Sequence, residues 1–153
     1  MDELAAPIAG GCLCGAIRYE AREPPSDANY CHCRMCQRTS GAPAVASVTF
    51  ARQAFQFTKG EPKHYKSSSF AERGFCSDCG SSLTYIPLAP AWSGMIFVWT
   101  GTLDRPQDAP PKWHTGIESQ VSWFNVEDDL PRLATEDNPD VSAIKEAADQ
   151  DKG

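Results

Sequence analysis

Seven cysteines constrain this chain more than any other feature, because they fall in three tight clusters: Cys12 with Cys14, then Cys31, Cys33 and Cys36, then Cys76 with Cys79. A disulfide framework favours an even count, a secretory leader and partners spread far apart in sequence. The count here is odd, the thiols are clustered, and the opening MDELAAPIAG begins with acids instead of a basic and then apolar leader, so the expectation is a cytoplasmic protein. Cys-x-Cys and Cys-x-x-Cys spacings hold two sulfurs within a few ångströms, which suits tetrahedral Zn–S bonds of about 2.3 Å. Zinc is the expected occupant.

A closed structural zinc takes four ligands and a reactive one keeps a position open, so seven cysteines divide naturally into four plus three. Cys76-Ser77-Asp78-Cys79-Gly80 reads as a zinc knuckle, in which the glycine lets the backbone turn tightly and aim amides at sulfur. Cys12-Leu13-Cys14-Gly15 is a second clip, expected at the start of a strand where residues i and i+2 face one side. Together the two clips make one tetrahedron that staples the N-terminal strand to the middle of the chain. The remaining Cys31-His32-Cys33-Arg34-Met35-Cys36 can hold a second zinc with its fourth position left to water or a thiol. Spacing leaves two alternatives open. One of His32, His64 or His114 closes the second shell, or the pairs exchange so that Cys12 and Cys14 join Cys31 and Cys33. Alternation along an extended 31–33 segment turns the His32 ring away from the sulfurs.

With 153 residues, 41% of them hydrophobic, the chain fits one domain. Its net charge of -6 is concentrated in residues 134–153, which carry -4 and leave -2 on the rest. A near-neutral body lacks the broad basic face of a nucleic-acid binder. No window approaches the roughly 18 apolar residues a membrane-spanning helix needs. Short β-branched and aromatic runs at 16–20, 45–50, 55–58, 83–86 and 95–99, bounded by Gly, Pro or Ser, predict strands in antiparallel sheets. The 55–58 and 63–67 runs, joined by Lys59-Gly60-Glu61-Pro62, read as a hairpin. Helix is expected only at 34–40, ended by Gly41, and over 141–148 in the acidic tail, which otherwise frays. Trp92, Trp99, Trp113 and Trp123 are expected in the core or in a pocket wall.

Three segments carry a resemblance. They are Gly11-Cys12-Leu13-Cys14-Gly15-Ala16-Ile17-Arg18-Tyr19, then Cys31-His32-Cys33-Arg34-Met35-Cys36-Gln37-Arg38 with Ser40-Gly41-Ala42-Pro43, then Arg73-Gly74-Phe75-Cys76-Ser77-Asp78-Cys79-Gly80-Ser81 with Leu83. The chain resembles the glutathione-dependent formaldehyde-activating enzymes, a family that includes centromere protein V-like proteins. The resemblance covers residues 10–133 as one zinc-binding β domain and omits the tail, 134–153. It implies a mainly β fold, a zinc-stabilised β-tent of several small antiparallel sheets. It also implies the four-plus-three partition, with Cys12, Cys14, Cys76 and Cys79 on a structural zinc and Cys31, Cys33 and Cys36 on a labile, reactive one. The activity implied is carbon–sulfur lyase chemistry, condensing a thiol such as glutathione with formaldehyde or a related carbonyl compound.

Zinc held by three thiolates favours the anion of an incoming thiol, and a neighbouring cation offsets the accumulated negative charge. Arg34 and Arg38 are the nearest cations in sequence and are the expected substrate contacts. His114, beside Trp113, reads as a packed, hydrogen-bonded residue. Two functional readings follow: an enzyme acting on a small thiol and a carbonyl compound, and a protein-binding module in which both zincs are structural. The unsaturated triplet favours the enzyme.

Overall fold

Glycine-bounded runs of alternating polarity build this fold, and the computed structural model describes them over residues 7–138. In chain order the elements are β1 (Ile8–Gly11), β2 (Arg18–Ala21), β3 (Asp27–Cys31), α1 (Arg34–Ser40), β4 (Val45–Ala51), β5 (Phe55–Lys59), β6 (Lys63–Ser68), β7 (Ala71–Phe75), β8 (Ser82–Pro87), β9 (Met95–Trp99), β10 (His114–Thr115) and β11 (Arg132–Leu133). The architecture is mainly β with a single short α-helix among the described residues. One sheet has the order β1-β2-β5 and the other β11-β10-β3-β4-β9-β8-β7-β6. Pairing is antiparallel except where β10 runs parallel to β3 and to β11.

The large sheet separates its side chains by period two. Val48 and Phe50 on β4 and Ile96 and Val98 on β9 line one face and are buried in the core with Leu83 and Ile86 of β8. The three-stranded sheet packs onto that face through aromatic rings. Phe55 of β5 stacks on Tyr19 of β2 with centroids 5.0 Å apart and lies 6.1 Å from Phe50. Tyr19 is buried, and its hydroxyl meets Thr102 Oγ1 at 2.6 Å, so the ring is apolar in its body and satisfied at its tip.

Two local expectations change. The 55–58 and 63–67 runs are strands, β5 and β6, but they do not pair with each other: β5 lies against β2 and β6 against β7. Gly60 explains the crossing. At φ +62° it packs against Ala16, where a Cβ would sit 2.4 Å from the carbonyl oxygen, so the Lys59–Pro62 link is pressed onto the small sheet while buried Pro62 leads the chain away. The Cys12 and Cys14 clip, expected to open a strand, lies instead in the turn joining β1 and β2. A turn brings its two sulfurs together by closing on itself, with the Gly15 amide donating to the Cys12 carbonyl at 3.2 Å.

Trp123 is largely exposed, at 75%, and supplies neither core nor wall. The helix expected over 141–148 lies outside the described residues. Of the segment that begins at 134, Thr135–Asp137 forms a single 3-10 turn, and the Thr135 amide donates to Glu118 Oε2 at 3.0 Å. Among the described residues no helix is long and apolar enough to cross a membrane.

Replacing Gly60 by Ala forces a side chain into both a left-handed backbone and the Ala16 carbonyl. The expected loss is about 2 kcal/mol, read as a lower denaturation midpoint at unchanged slope. An unaltered midpoint would show that the inter-sheet link is not held by this contact.

Candidate metal centres

A turn near the N-terminus and a turn from the middle of the sequence meet at the first sulfur cluster. Cys12 and Cys14 come from the β1–β2 turn, Cys76 and Cys79 from the β7–β8 turn, and their four ligand atoms all lie within 4.8 Å of one another. The Cys12–Cys14 and Cys14–Cys76 sulfur separations are 3.6 and 3.8 Å. A tetrahedron with Zn–S bonds of about 2.3 Å has edges of about 3.8 Å. Gly15 and Gly80, each directly after the second cysteine of its clip, adopt φ +79° and +78°, the left-handed turn that the knuckle reading requires. The turns are also joined by hydrogen bonds: the Leu13 amide donates to Ser81 Oγ at 3.1 Å, and that hydroxyl contacts Cys79 Sγ at 3.1 Å.

The thiol acidities spread widely. Burial pushes Cys12 up, but the Ile17 amide, which donates to its sulfur at 3.2 Å, and the Cys14 and Cys76 thiols more than reverse it and leave it lowered. The Ala16 amide favours the Cys14 anion, yet burial and the neighbouring sulfurs raise that thiol to about 12. The Ser81 hydroxyl and amide lower Cys79 to about 5.

The second cluster is local in sequence. Cys31 ends β3, Cys33 caps α1 and Cys36 lies in the first turn of that helix, with the three sulfurs within 4.8 Å of one another. Cys31 and Cys33 sulfurs are 3.3 Å apart, and the Cys36 amide donates to Cys33 Sγ at 3.4 Å. Here one sulfur takes the charge. The thiols of Cys31 and Cys36 lower Cys33 to about 2. Cys31 is raised well above the usual thiol range by Cys33 and Cys36. Cys36 is favoured as an anion by Cys31, but Cys33 and burial outweigh this and raise it to about 12. Three soft anionic donors this close repel one another unless a cation sits among them, so both clusters fit a divalent, thiophilic metal such as zinc. Neither cluster includes a histidine, and the exchange of pairs between clusters does not occur.

The surroundings of the triad were mostly not legible in the sequence. Gly116, at φ +69°, backs onto Cys33, where a Cβ would come within 2.8 Å of its amide nitrogen and 3.0 Å of its Cβ. Buried Gln37 pins the helix by donating to the His32 and Ser119 carbonyls at 2.7 and 2.9 Å. His32, fully buried, points away from the sulfurs to His114, with Nε2 and Nδ1 2.8 Å apart. His114 Nε2 in turn lies 2.9 Å from Asp128 Oδ2. An ionised carboxylate only accepts, so His114 Nε2 carries a proton there. Burial lowers His32. Arg34 and Arg38, expected near the substrate, are exposed on α1, and Arg34 Nη1 donates to Gln37 Oε1 at 2.6 Å.

The family model described as glutathione-dependent formaldehyde-activating enzyme matches residues 7–119. The chain belongs to that family. Among glutathione-dependent formaldehyde-activating enzyme relatives, a Halomonas elongata protein named "Putative glutathione-dependent formaldehyde-activating enzyme" is 28% identical over 78% of this chain and 81% of its own length. An uncharacterized lyase of Schizosaccharomyces pombe is 36% identical over 50% of this chain and 55% of its own. The crystal structure of a Rhodobacter sphaeroides protein shares the fold, with a TM-score of 0.52 at 18% identity, covering 82% of this chain and 99% of that one.

Because Gly116 has no room for a side chain beside Cys33, Gly116→Ala is expected to reduce the metal content of the purified protein from about two ions per chain to about one, with the far-ultraviolet circular dichroism unchanged. Elemental analysis checks this. Retention of both ions would mean that the triad tolerates displacement of Cys33.

Proposed function

We propose that this chain is a zinc-dependent carbon–sulfur lyase that joins a small thiol such as glutathione to formaldehyde or a related small carbonyl compound, and that separates them in the reverse direction. The observation that carries the reading is the unequal pair of clusters: four sulfurs gathered at one, and three at the other with no fourth His, Cys, Asp or Glu ligand atom in the group among the described residues. Family membership and the lyase-named relative support the reaction class. Cys12, Cys14, Cys76 and Cys79 would hold a structural zinc, and Cys31, Cys33 and Cys36 a second, more labile ion. Zinc in the second position supplies Lewis acidity that keeps an incoming thiol anionic near neutral pH.

The chain's own residues set the stage. Cys33 fixes the start of α1 through its sulfur and so ties the spacing of Cys36 to the helix. Gln37 holds that helix against the 116–119 loop. Arg34 and Arg38, exposed beside the triad in sequence, steer an anionic thiol toward it. In the adduct-forming direction the sulfur–carbon bond forms, the carbonyl π pair moves to oxygen, and the thiol proton finishes on that oxygen. Nothing is oxidised or reduced. The proposed setting is the cytoplasm, where reducing conditions keep the cysteines available for metal. The partners are small molecules, with neither nucleic acid nor membrane among them.

The test uses the full chain loaded with zinc, with hydroxymethyl adduct formation from glutathione and formaldehyde followed by proton NMR. Cys36→Ser is expected to lower turnover by more than about a hundredfold with the fold intact, because even outer-shell changes at metal sites cost about 10–100-fold. Cys79→Ser is expected to unfold the domain, read as loss of the cooperative thermal transition. Equal loss of folding in both variants would remove the division of labour. Two equally tight metal ions with no turnover would favour a binding module.

A further inference from the structure

Arg73 belongs to the Arg-Gly-Phe-Cys segment of the sequence, yet neither cluster uses it. It sits at the centre of β7 and is buried, with 5% of its surface exposed. A buried guanidinium ordinarily has a carboxylate partner. Among the described residues Arg73 has none: Nε donates to Ser67 Oγ at 3.2 Å, and the buried Nη1 has no hydrogen-bond partner. The guanidinium is walled by aromatic rings instead, with Cζ 4.9 Å from the Tyr85 centroid and 5.7 Å from that of Trp99.

Register shows where this cation faces. Directly opposed residues of antiparallel strands project to the same face, as do residues two apart. Arg73 opposes Tyr85, Tyr85 opposes Phe97, and Trp99, two residues on, opposes Ser47. Ser47 opposes Asn29, which is two residues from Cys31. Arg73 and Cys31 therefore share the face of the large sheet opposite the apolar core. Asn29, Ser47 and Thr49, buried on the same face, are polar and uncharged. Tyr85, whose ring lies under the Arg73 guanidinium, is within electrostatic reach of both that cation and all three cysteines.

We infer that Arg73 is the counter-charge of the three-cysteine centre, and that its guanidinium gives the centre a preference for an anionic ligand, the thiolate of the substrate, over a neutral one. A divalent ion among three thiolates carries about -1, and a fourth anion brings it to about -2. In this aromatic-walled site one buried guanidinium without a carboxylate partner offsets one of those charges. The inference rests on the proposed open position at the triad, and Arg73 acts on it through space as a positioning residue.

The experiment replaces zinc by cobalt(II) in the full chain and follows the cobalt absorption bands during titration with thiocyanate, a small permanent anion, and with imidazole, a neutral ligand. The wild-type protein is expected to bind both. Arg73→Met is expected to weaken thiocyanate about tenfold or more while leaving imidazole within about twofold. Equal weakening of both probes, which a merely structural role produces, overturns the inference, and so does unchanged thiocyanate binding. Arg73→Gln serves if the Met variant does not fold. Bands of the wild-type protein that respond to neither probe would remove the open position and this inference together. Bands that respond equally in wild type and variant would remove only the role of Arg73.

Discussion

Repulsion among crowded sulfur anions is the constraint on which the rest of this structure depends. Four sulfurs from turns more than sixty residues apart converge within 4.8 Å, and the Cys14 and Cys76 sulfurs lie 3.8 Å from each other across 62 residues of sequence. Donated hydrogen bonds spread the acidities of these thiols, lowering Cys79 and raising Cys14, so that the cluster carries partial charge even without a cation. A divalent ion held there would remove the repulsion and turn it into a cross-link between the β1–β2 and β7–β8 turns. Those turns belong to different sheets, so the cluster acts as a seam between them alongside the Tyr19–Phe55–Phe50 aromatic contact.

The large sheet does two jobs with its two faces. One face is filled by Val48, Phe50, Ile96 and Val98 and gives the domain its core. The other carries Asn29, Ser47, Thr49 and Arg73, all buried and polar, and it ends at the Cys31 sulfur. Placing the three-cysteine cluster at the end of such a face keeps polar groups at hand without opening the core to water. The triad is also braced from behind, by Gly116 against Cys33, by Gln37 between the helix and the 116–119 loop, and by the chain of side chains from His32 through His114 to Asp128. His114, read from its neighbourhood as a packed and hydrogen-bonded residue, is fully buried and stacked on Tyr30.

Strands such as β4, β8 and β9 were legible because alternation and β-branched composition are local signals, and α1 was legible because Gly41 ends it in a left-handed cap at φ +76°. The strands that escaped notice, β1, β3, β7, β10 and β11, are two residues long, contain glycine or, like β3, lack β-branched residues, and they exist because a neighbour offers hydrogen bonds to an otherwise unremarkable segment. The β5–β6 connection had the composition of a hairpin turn. Composition cannot report that Gly60 is pinned to Ala16 and that each strand finds a better partner elsewhere.

By itself the sequence determined the donor chemistry and its count: seven thiols at clip spacing, with glycines placed to turn the backbone behind two of the pairs. Sulfur spacing within a clip is a matter of a few bonds, and so it is fixed locally. Tertiary structure alone decided which clips meet, that no histidine joins either group, and that the buried cation on the Cys31 face of the large sheet is Arg73 on a distant strand while Arg34 and Arg38, beside the triad in sequence, are exposed. Charge acts through space, and distance in space is set by strand order and register, neither of which a linear pattern encodes.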